Sequence, residues 1–412
     1  MRRPTGRTGA TILALSLVAT IAACGGDDDE EGADDGGGSA EDTTTTTVAP
    51  YTLDEPLKIV AVISEPGGSD PNAVPDFVDG IHMAIDEINA GGGIGGHDVE
   101  FQAIETLAVG DSIVNSLNLA LEEDPDVLLG PVSSTAILAM AERIDEAQVP
   151  VIHNTTEPQV AADGEAASDW IFANRPPNDD SARIGARYAV EELGAQSIGQ
   201  LYVDTAFGQA GDEAQDAEID DLGAEVGAER SFAFDADDMT EAALAMEDVD
   251  AILDWGTPGT MGLSVNALAQ QGLVDIPHIG AGSTGFSFFA DIVGDESLLE
   301  GILGVVDCNP ADNDRDGGQA WHDRFVDEFD YEPSYGAAQM YDSVMMVQAI
   351  VNQAQAADPA TIQAGLAELG GDEPYAGVCA DYANDNNVLM HSAVVAQYED
   401  GALVTQAEYD ES

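Results

Sequence analysis

The sequence predicts an α/β protein made of two doubly wound lobes, each built on a parallel sheet. From Leu57 onwards, short β-rich runs alternate with segments that are apolar at helical spacing, which is typical of βαβ units and a parallel sheet. Of the 412 residues, 44% are hydrophobic, which is ample for a packed core. The roughly 350 residues from Leu57 onwards are too many for one such sheet. Two lobes are therefore expected.

The first series of elements runs from residue 58 to residue 152. Its first helix, over 76–89, carries Phe77, Ile81, Ile85 and Ile88 on one face. The predicted strands of this series are 58–63, 99–104, 127–129 and 151–152, and the remaining helices are 112–122 and 134–147.

A second series of strands and helices follows, and three segments are expected to join the two series. The segment 175–178, which reads Arg-Pro-Pro-Asn, is expected to cross between the lobes, and 301–308 and 374–382 are the expected second and third crossings. The second series has predicted strands at 198–203, 231–234, 251–255 and 277–280, and predicted helices at 181–193, 208–221, 240–246 and 261–271.

The N-terminus has the layout of a bacterial lipoprotein signal. Arg2, Arg3 and Arg7 form a basic segment, a mainly apolar stretch follows over 10–23, and small residues precede Cys24. Such a signal is cleaved before the cysteine, which is then lipidated, so we expect the mature chain to begin at Cys24, outside the cytoplasm and tethered to a membrane. An ordinary secretory signal and a transmembrane anchor are the alternatives, although the stretch is shorter than the roughly 20 residues that span a bilayer.

Residues 24–56 are predicted to form a disordered stalk. The part over 25–50 is rich in Gly, Asp, Glu and Thr, and includes five consecutive threonines at 43–47. Such a segment cannot bury enough apolar surface to fold, so we expect a flexible linker between the anchor and the α/β lobes.

The chain is strongly acidic. Eleven basic and 79 acidic residues give a net charge of −68. Nucleic acid and anionic lipid surfaces are poor partners for such a chain. Lys58 is the only lysine. A lysine-poor acidic surface fits saline surroundings, where salt screens the self-repulsion.

Two segments share part of the pattern of a cofactor site or a metal site. Gly91, Gly93 and Gly96 match the spacing of the dinucleotide fingerprint, but they follow a helix and precede a strand, so we interpret them as a turn. The segment 312–317 resembles the opening of a calcium loop, but Asp323 stands where such a loop has glutamate. No cofactor and no metal are expected.

Two cysteines remain after Cys24. In an oxidising compartment, Cys308 and Cys379 most simply form one disulfide, and no metal-ligand spacing is present. A pair of free buried thiols is the alternative.

Residues 79–96, which read DGIHMAIDEINAGGGIGG, resemble the first helix and following turn of the leucine/isoleucine/valine-binding protein family. Weaker similarities follow in the same order: 130–135 (GPVSST), 149–152 (VPVI), 155–158 (TTEP), 207–208 (FG) and 341–343 (YDS). These proteins are the substrate-capturing receptors of branched-chain amino acid type ABC transporters, and the resemblance covers about 57–401.

The resemblance implies the type I periplasmic binding protein fold, in which two lobes are joined by three crossing strands and close by hinge motion on a ligand. The N-terminal lobe would comprise 57–175 and 310–378, and the C-terminal lobe 176–306 and 380–412. Cys308 and Cys379 would then lie in neighbouring crossing strands, where a disulfide could limit hinge movement.

A polar segment follows the strand 127–129 and opens the next helix. Because the hydroxyls of Ser133, Ser134 and Thr135, the backbone N–H groups and the positive helix end converge there, the segment could hold an anion. In the resembled family a serine that matches Ser134 grips the ligand carboxylate. The alternative is that Ser134 only caps its helix.

The loop after strand 151–152 supplies the other expected contacts of the first lobe. In the resembled family, a threonine that matches Thr156 and a backbone group at the position of Asn154 also hold the carboxylate, and Thr155 lies between them. The alternative is that Thr155 and Thr156 only form a loop.

The second lobe offers candidates at its strand ends. Phe207 matches an aromatic residue that covers the ligand in the resembled family. For Trp255 the alternative is a place in the lobe core. The candidates on this lobe are Asp204, Phe207, Asp254, Trp255, Thr257 and Ser283.

Two departures from the family bear on the ligand. The family's acidic partner of an α-amino group aligns with Gly282, and the aromatic of the first loop is replaced within 67–74. A cationic amino group buried without a carboxylate would be costly. Asp180, Asp204 or Asp254 could substitute; a small amide, urea-like molecule or carboxylate is equally compatible.

The expected function is therefore a lipid-anchored, monomeric solute receptor that delivers a small polar ligand to an ABC permease. A receptor for a signalling partner would use the same fold and cleft. A secreted hydrolase is disfavoured, because the nucleophile elbow that Ser283 would need has Ala281 in place of its first glycine.

Overall fold

A computed structural model describes residues 51–63, 75–106, 112–370 and 374–410. The predicted signal, Cys24, most of the stalk and the first-loop departure at 67–74 lie outside the described residues. Among the described residues, no helix has the combined length and apolar character needed to cross a bilayer.

The first lobe is built on a five-stranded parallel sheet with the strand order β2-β1-β3-β4-β5. Its elements come in the predicted alternation, and the fifth strand is an addition to the prediction. They are β1 (Lys58–Val62), α1 (Pro75–Ala90), β2 (Glu100–Ile104), α2 (Ile113–Glu122), β3 (Val127–Leu129), α3 (Ser134–Ala147), β4 (Val151–His153) and β5 (Ile171–Ala173).

The second lobe contains a seven-stranded sheet with the order β14-β13-β10-β9-β8-β6-β7, in which β13 and β14 are antiparallel to their neighbours. Its elements are α4 (Asn178–Arg187), which a π-turn at Tyr188–Glu192 extends, β6 (Ser197–Val203), α5 (Ala206–Asp221), β7 (Glu225–Phe232), α6 (Thr240–Leu244), β8 (Ala251–Trp255), α7 (Pro258–Gln271), β9 (His278–Gly280), α8 (Phe289–Val293) and β10 (Leu303–Val306). The fold class predicted from the sequence is confirmed.

After β10 the chain returns to the first lobe and then re-enters the second. The returning elements are α9 (Gly318–Phe329), α10 (Tyr335–Ala354), α11 (Pro359–Ala367), β11 (Tyr375–Ala376) and β12 (Asp381–Tyr382), and the last hairpin is β13 (Ser392–Glu399) and β14 (Ala402–Asp410). Helix α10 is buried along most of its length and packs against α1, so it completes the core of the first lobe.

The connections between the lobes differ in detail from the predicted crossings. Asn178 already belongs to α4, so the first connection is 174–177. The predicted third crossing, 374–382, is instead the hairpin of β11 and β12. Leu389 N–H still donates to Ala173 O in the first lobe at 2.8 Å, and the chain enters the second sheet at Ser392 rather than at the predicted position 380.

The segment 312–317 has a structural role in the connection. Asn313 donates to Val378 O at 2.7 Å and accepts from Arg315 N–H, and Arg315 pairs with Asp381. Asp312 accepts from Thr405 N–H at 3.1 Å. Among the described residues, no group of three or more His, Cys, Asp or Glu side chains is placed to hold a metal ion.

Cys308 and Cys379 form a disulfide that joins the chain after β10 to the hairpin of β11 and β12. Asp342, on α10, fixes the same hairpin. It accepts from the backbone N–H groups of Val378 at 2.8 Å and Cys379 at 2.9 Å, and from the hydroxyl of Tyr382 at 3.0 Å. The disulfide and this carboxylate together tie the hairpin to the interlobe connection.

Asp342 makes stability depend on pH. Burial raises the pKa of Asp342 to about 7, above its ordinary value of 3.8. The folded state therefore keeps a proton that the unfolded state releases, and this contribution to stability is present below about pH 4 and lost as the pH rises through about 7.

The Asp342→Asn variant is expected to lose less stability between pH 5 and pH 8 than the native protein, because asparagine does not titrate. Urea unfolding at both pH values measures the two differences. Equal pH dependence in the two proteins would show that Asp342 is ionised with an ordinary pKa.

Candidate functional site

The carboxyl ends of the strands in both sheets face each other across the interlobe connections. On the first lobe these ends lead into the segments 130–133 and 154–157, and on the second lobe into 204–205, 256–257 and 281–283. Helix α3 of the first lobe contacts α5 of the second, so the two edges lie close together. This is the position at which open α/β sheets bind ligands.

The N-terminus of α3 has the predicted polar character. Ser133 is the N-cap, and its side chain accepts from Ala136 N–H at 3.4 Å. Ser134 is buried at 6% exposure, and Thr135 is half-buried. Because Ser133 performs the capping, the Ser134 hydroxyl is not needed for it, which argues against the alternative that Ser134 only caps the helix.

The loop after β4 is buried. Asn154, Thr155 and Thr156 are 0%, 2% and 4% exposed. Thr155 is used internally, because its hydroxyl lies 3.0 Å from His153 Nδ1 and accepts from Glu157 N–H at 3.3 Å. Burial lowers the pKa of His153 to about 3, so the imidazole is neutral. Thr156 is thus the hydroxyl of this loop that remains for a ligand.

Asn154 belongs to a buried polar network that the sequence analysis did not find. Its Nδ2 donates to Asn174 Oδ1 at 2.8 Å and to Gln339 Oε1 at 2.7 Å. Gln339 in turn donates to Asp307 Oδ2 at 2.8 Å. The network therefore connects the loop after β4 with both segments that leave β5 and β10.

Arg175 completes this network in the first connection. Its Nε lies 2.7 Å from Asp307 Oδ2, and its Nη2 donates to Oδ1 at 2.9 Å. The two side chains are 11% and 2% exposed. The guanidinium also lies over the ring of Tyr335, 5.0 Å from its centre. This buried ion pair, with one hydrogen bond and a second close contact, fixes the two connections relative to each other.

Of the second-lobe candidates, Thr257, Phe207 and Ser283 lie at the strand ends. Thr257 caps α7 in a capping box with Thr260. Phe207 is half-buried against the lobe core. Ser283 donates to Gly256 O at 2.9 Å, so its hydroxyl is bonded to the backbone. Asp204 is exposed and accepts from Gln209 at 2.7 Å.

Asp254 and Trp255 point to opposite faces of the second sheet, as neighbours on a strand must. Asp254 is fully buried and contacts Ser264 of α7 and His278 of β9. Trp255 packs against Gly211 of α5. Both side chains are therefore buried in the second lobe, and Trp255 is linked through Asn178 to the segment of Thr156.

Asn178 is the residue that joins three predicted site segments, and its role was missed. Its backbone N–H donates to Thr156 O at 2.8 Å, its Nδ2 donates to Phe207 O at 2.6 Å, and its Oδ1 accepts from Trp255 Nε1 at 2.8 Å. Asn178 is 1% exposed. The signal in the sequence was its position as the last residue of the predicted crossing 175–178.

An aromatic cluster connects the lobes beside these segments. Phe286 of the second lobe meets the edge of Phe77 on α1 with 5.8 Å between the ring centres, and lies 5.3 Å from the ring of Tyr335 on α10. Phe286 also stacks on Phe288. The region where the lobes meet therefore has buried polar groups at the start of α3 and an aromatic cluster near the connections.

Two facing α/β lobes with buried hydroxyls at their meeting edges define a protein of the bilobed solute-binding class. The chain belongs to the periplasmic binding protein family, whose model matches residues 56–402. This is a family of extracytoplasmic binding proteins, and the resemblance found in the sequence is confirmed.

The structure is similar to that of a leucine-binding protein from Thermotoga maritima, with a TM-score of 0.75 and 19% identity over 86% of this chain and 99% of that one. It is also similar to a solute-binding protein from R. palustris in complex with benzoate, with a TM-score of 0.73 and 17% identity over 86% of this chain and 96% of the other. At these identities, the likeness shows the fold.

A curated relative is similar over part of its length. The chain is 32% identical over 188 residues to the chemotactic signal transduction system substrate-binding protein BasB of Halobacterium salinarum. The alignment covers 44% of this chain and 45% of that protein, so the chain spans less than half of the relative's length in this match.

Proposed function

We propose that the protein is the lipid-anchored, monomeric receptor of an ABC importer, which captures a small polar ligand by closing its lobes and delivers it to the permease. The observation that carries this proposal is the pair of buried hydroxyls, Ser134 and Thr156, which follow the neighbouring strands β3 and β4 on the first lobe of a bilobed fold. With the N-terminus of α3, they offer donors to an anionic or carbonyl group.

The buried hydroxyls and two of the similar proteins suggest an amino acid, an amide or a carboxylate as the ligand. The similar proteins include one named for leucine and one that holds benzoate, and both ligands carry a carboxylate. Cys24 would carry the lipid anchor, and the acidic stalk would let the lobes reach the permease.

A thermal-shift screen of amino acids, amides and short carboxylates tests the proposal, because a ligand that binds only the folded state raises the melting temperature. We expect at least one class to stabilise the protein and its affinity to fall in the Ser134→Ala variant. Stabilisation that is unchanged by this substitution would place the ligand elsewhere.

A chemosensory receptor is the second candidate, and the similarity to BasB favours it. The same closed lobes would then be recognised by a signalling partner. Deleting the gene separates the two functions. Loss of uptake of the labelled ligand indicates import, whereas intact uptake with loss of directed movement towards the ligand indicates sensing.

Asn178→Asp is expected to weaken ligand binding in a pH-dependent way. An ionised aspartate cannot donate to Phe207 O, so the loop that carries Phe207 loses its tie to Thr156. The affinity should fall roughly tenfold at pH 7.5, since a lost bond costs about 1–1.5 kcal/mol, and partly recover at pH 5. Titration calorimetry measures both values.

Asn178→Ala is the matched control, because alanine has no group that could regain a proton. It should lose affinity without recovery at low pH. If both variants bind as the native protein does, Asn178 does not position the ligand segments.

A further inference from the structure

The loop after β9 brings Gly282 against two polar groups of the opposite side of the cleft. A Cβ atom at Gly282 would lie 2.9 Å from the hydroxyl of Tyr335 and 3.1 Å from Nη2 of Arg175. Tyr335 begins α10 of the first lobe, and Arg175 lies in the first connection. The space that any other side chain would fill at this position is therefore occupied by a phenol and a guanidinium.

Both groups are fixed as hydrogen-bond donors. The contacts of Arg175 with Asp307 use Nε and Nη2, and a guanidinium carries five N–H groups in all. Burial holds the pKa of the Tyr335 hydroxyl well above its ordinary value, so the phenol keeps its proton. The guanidinium lies over the ring of Tyr335, so the two groups are adjacent at Gly282.

The carboxylates described near these donors are already engaged. Asp307 pairs with Arg175 and accepts from Gln339. Asp254 contacts Ser264 and His278 in the lobe interior, and Asp204 is exposed and accepts from Gln209. An ammonium group placed beside Gly282 would face Arg175 and lose its hydration, which is costly for a buried charge without a partner. An acceptor placed there would gain hydrogen bonds.

We propose that Arg175, Tyr335 and Gly282 form an acceptor-binding end of the cleft. The ligand is a carboxylic acid that carries a carbonyl, a hydroxyl or a second carboxylate where an amino acid carries its ammonium group. Its first carboxylate binds at Ser134 and Thr156, and its second acceptor lies at Tyr335. This inference rests on the proposed function and selects one ligand class for it.

Matched pairs of solutes test the inference on the native protein. Pyruvate and alanine, and 4-methyl-2-oxopentanoate and leucine, share their carbon skeletons and differ in having a carbonyl or an ammonium beside the carboxylate. Glutarate and lactate extend the acceptor class. We expect titration calorimetry to give at least tenfold tighter binding of the acceptor-bearing acid within the pair that fits the cleft.

Tyr335→Phe gives a second test, because it removes the hydroxyl and keeps the ring over Arg175. We expect a five- to tenfold loss of affinity for the acceptor-bearing acid. The matched control is Tyr341→Phe on the same helix, whose hydroxyl contacts Glu87 at 2.8 Å outside the cleft, and it should leave the affinity unchanged.

Three outcomes overturn the inference. They are equal or tighter binding of the amino acid in each pair, binding of amides or amines alone, and a Tyr335→Phe variant that binds the acid as tightly as the native protein does. The first two leave the proposed receptor function intact. Binding of no solute of any class would overturn the proposed function and this inference with it.

Discussion

Replacing Arg175 with methionine is expected to destabilise the protein by about 3–5 kcal/mol, because it leaves the Asp307 carboxylate buried without its cation. Asp307 is 2% exposed and has two contacts with the guanidinium, at 2.7 and 2.9 Å. Gln339 would be its remaining neutral donor. Urea unfolding at pH 7, far above the ordinary pKa of a carboxyl, measures the difference.

Arg183→Met is the control for this substitution. Arg183 pairs with Asp179 and Asp180 on the surface of α4, and its side chain is 36% exposed. Exposed pairs contribute about 0–1 kcal/mol, so a small change is expected. If Arg175→Met cost no more than Arg183→Met, the buried pair would not fix the connections. The double variant Arg175→Met with Asp307→Leu should recover part of the lost stability, because it removes the unpaired charge.

Removing both the Ser134 and the Thr156 hydroxyl is expected to weaken ligand binding at least a hundredfold. A hydrogen bond to a charged group is worth about 1.5–3 kcal/mol, and about 1.4 kcal/mol corresponds to a factor of ten in affinity. Each single substitution to alanine should therefore cost tenfold or more. Both side chains are buried, so water does not readily replace the lost donors.

Ser168→Ala is the matched control in the same lobe. Ser168 is 6% exposed, like Ser134, but it donates to Asp145 at 2.9 Å and lies before β5, away from the carboxyl ends of the strands. It should change stability without changing affinity. If the single variants at Ser134 and Thr156 both keep a ligand affinity within a factor of about two of the native protein's, these hydroxyls do not belong to the site.

The sequence predicted the elements in which local patterns dominate. The helix that begins at Ser134 and ends at Ala147 was predicted with its observed bounds, because a capping serine precedes it and its apolar positions follow the helical period. The strands at 127–129 and 251–255 also have their predicted bounds, because they are short buried runs.

The parts that the sequence did not predict depend on contacts between distant residues. Asn154 and Gln339 are 185 residues apart, and Trp255 and Asn178 are 77 apart, so no local pattern links them. Strand β7 was predicted over 231–234 but begins at Glu225, because it pairs with β6 along a largely exposed face and lacks an apolar run.

The placement of Asp254 and Trp255 could have been anticipated in part. Successive side chains on a strand point to opposite faces, so these neighbours within β8 could not both face one ligand. The positions directly after the strand, including Thr257, were the better candidates. The sequence did show that Gly282 aligns with an acidic position of the family. It did not show which groups lie beside Gly282, because Arg175 precedes it by 107 residues and Tyr335 lies on a later helix.

A crystal structure of the protein with the ligand found in the screen tests most directly whether two lobes close on one solute at these residues. We expect the ligand between the lobes, with an oxygen of its anionic or carbonyl end within hydrogen-bond distance of the Ser134 and Thr156 hydroxyls. A ligand bound on the outer face of either lobe, or held between the lobes without contact to those hydroxyls, would contradict this.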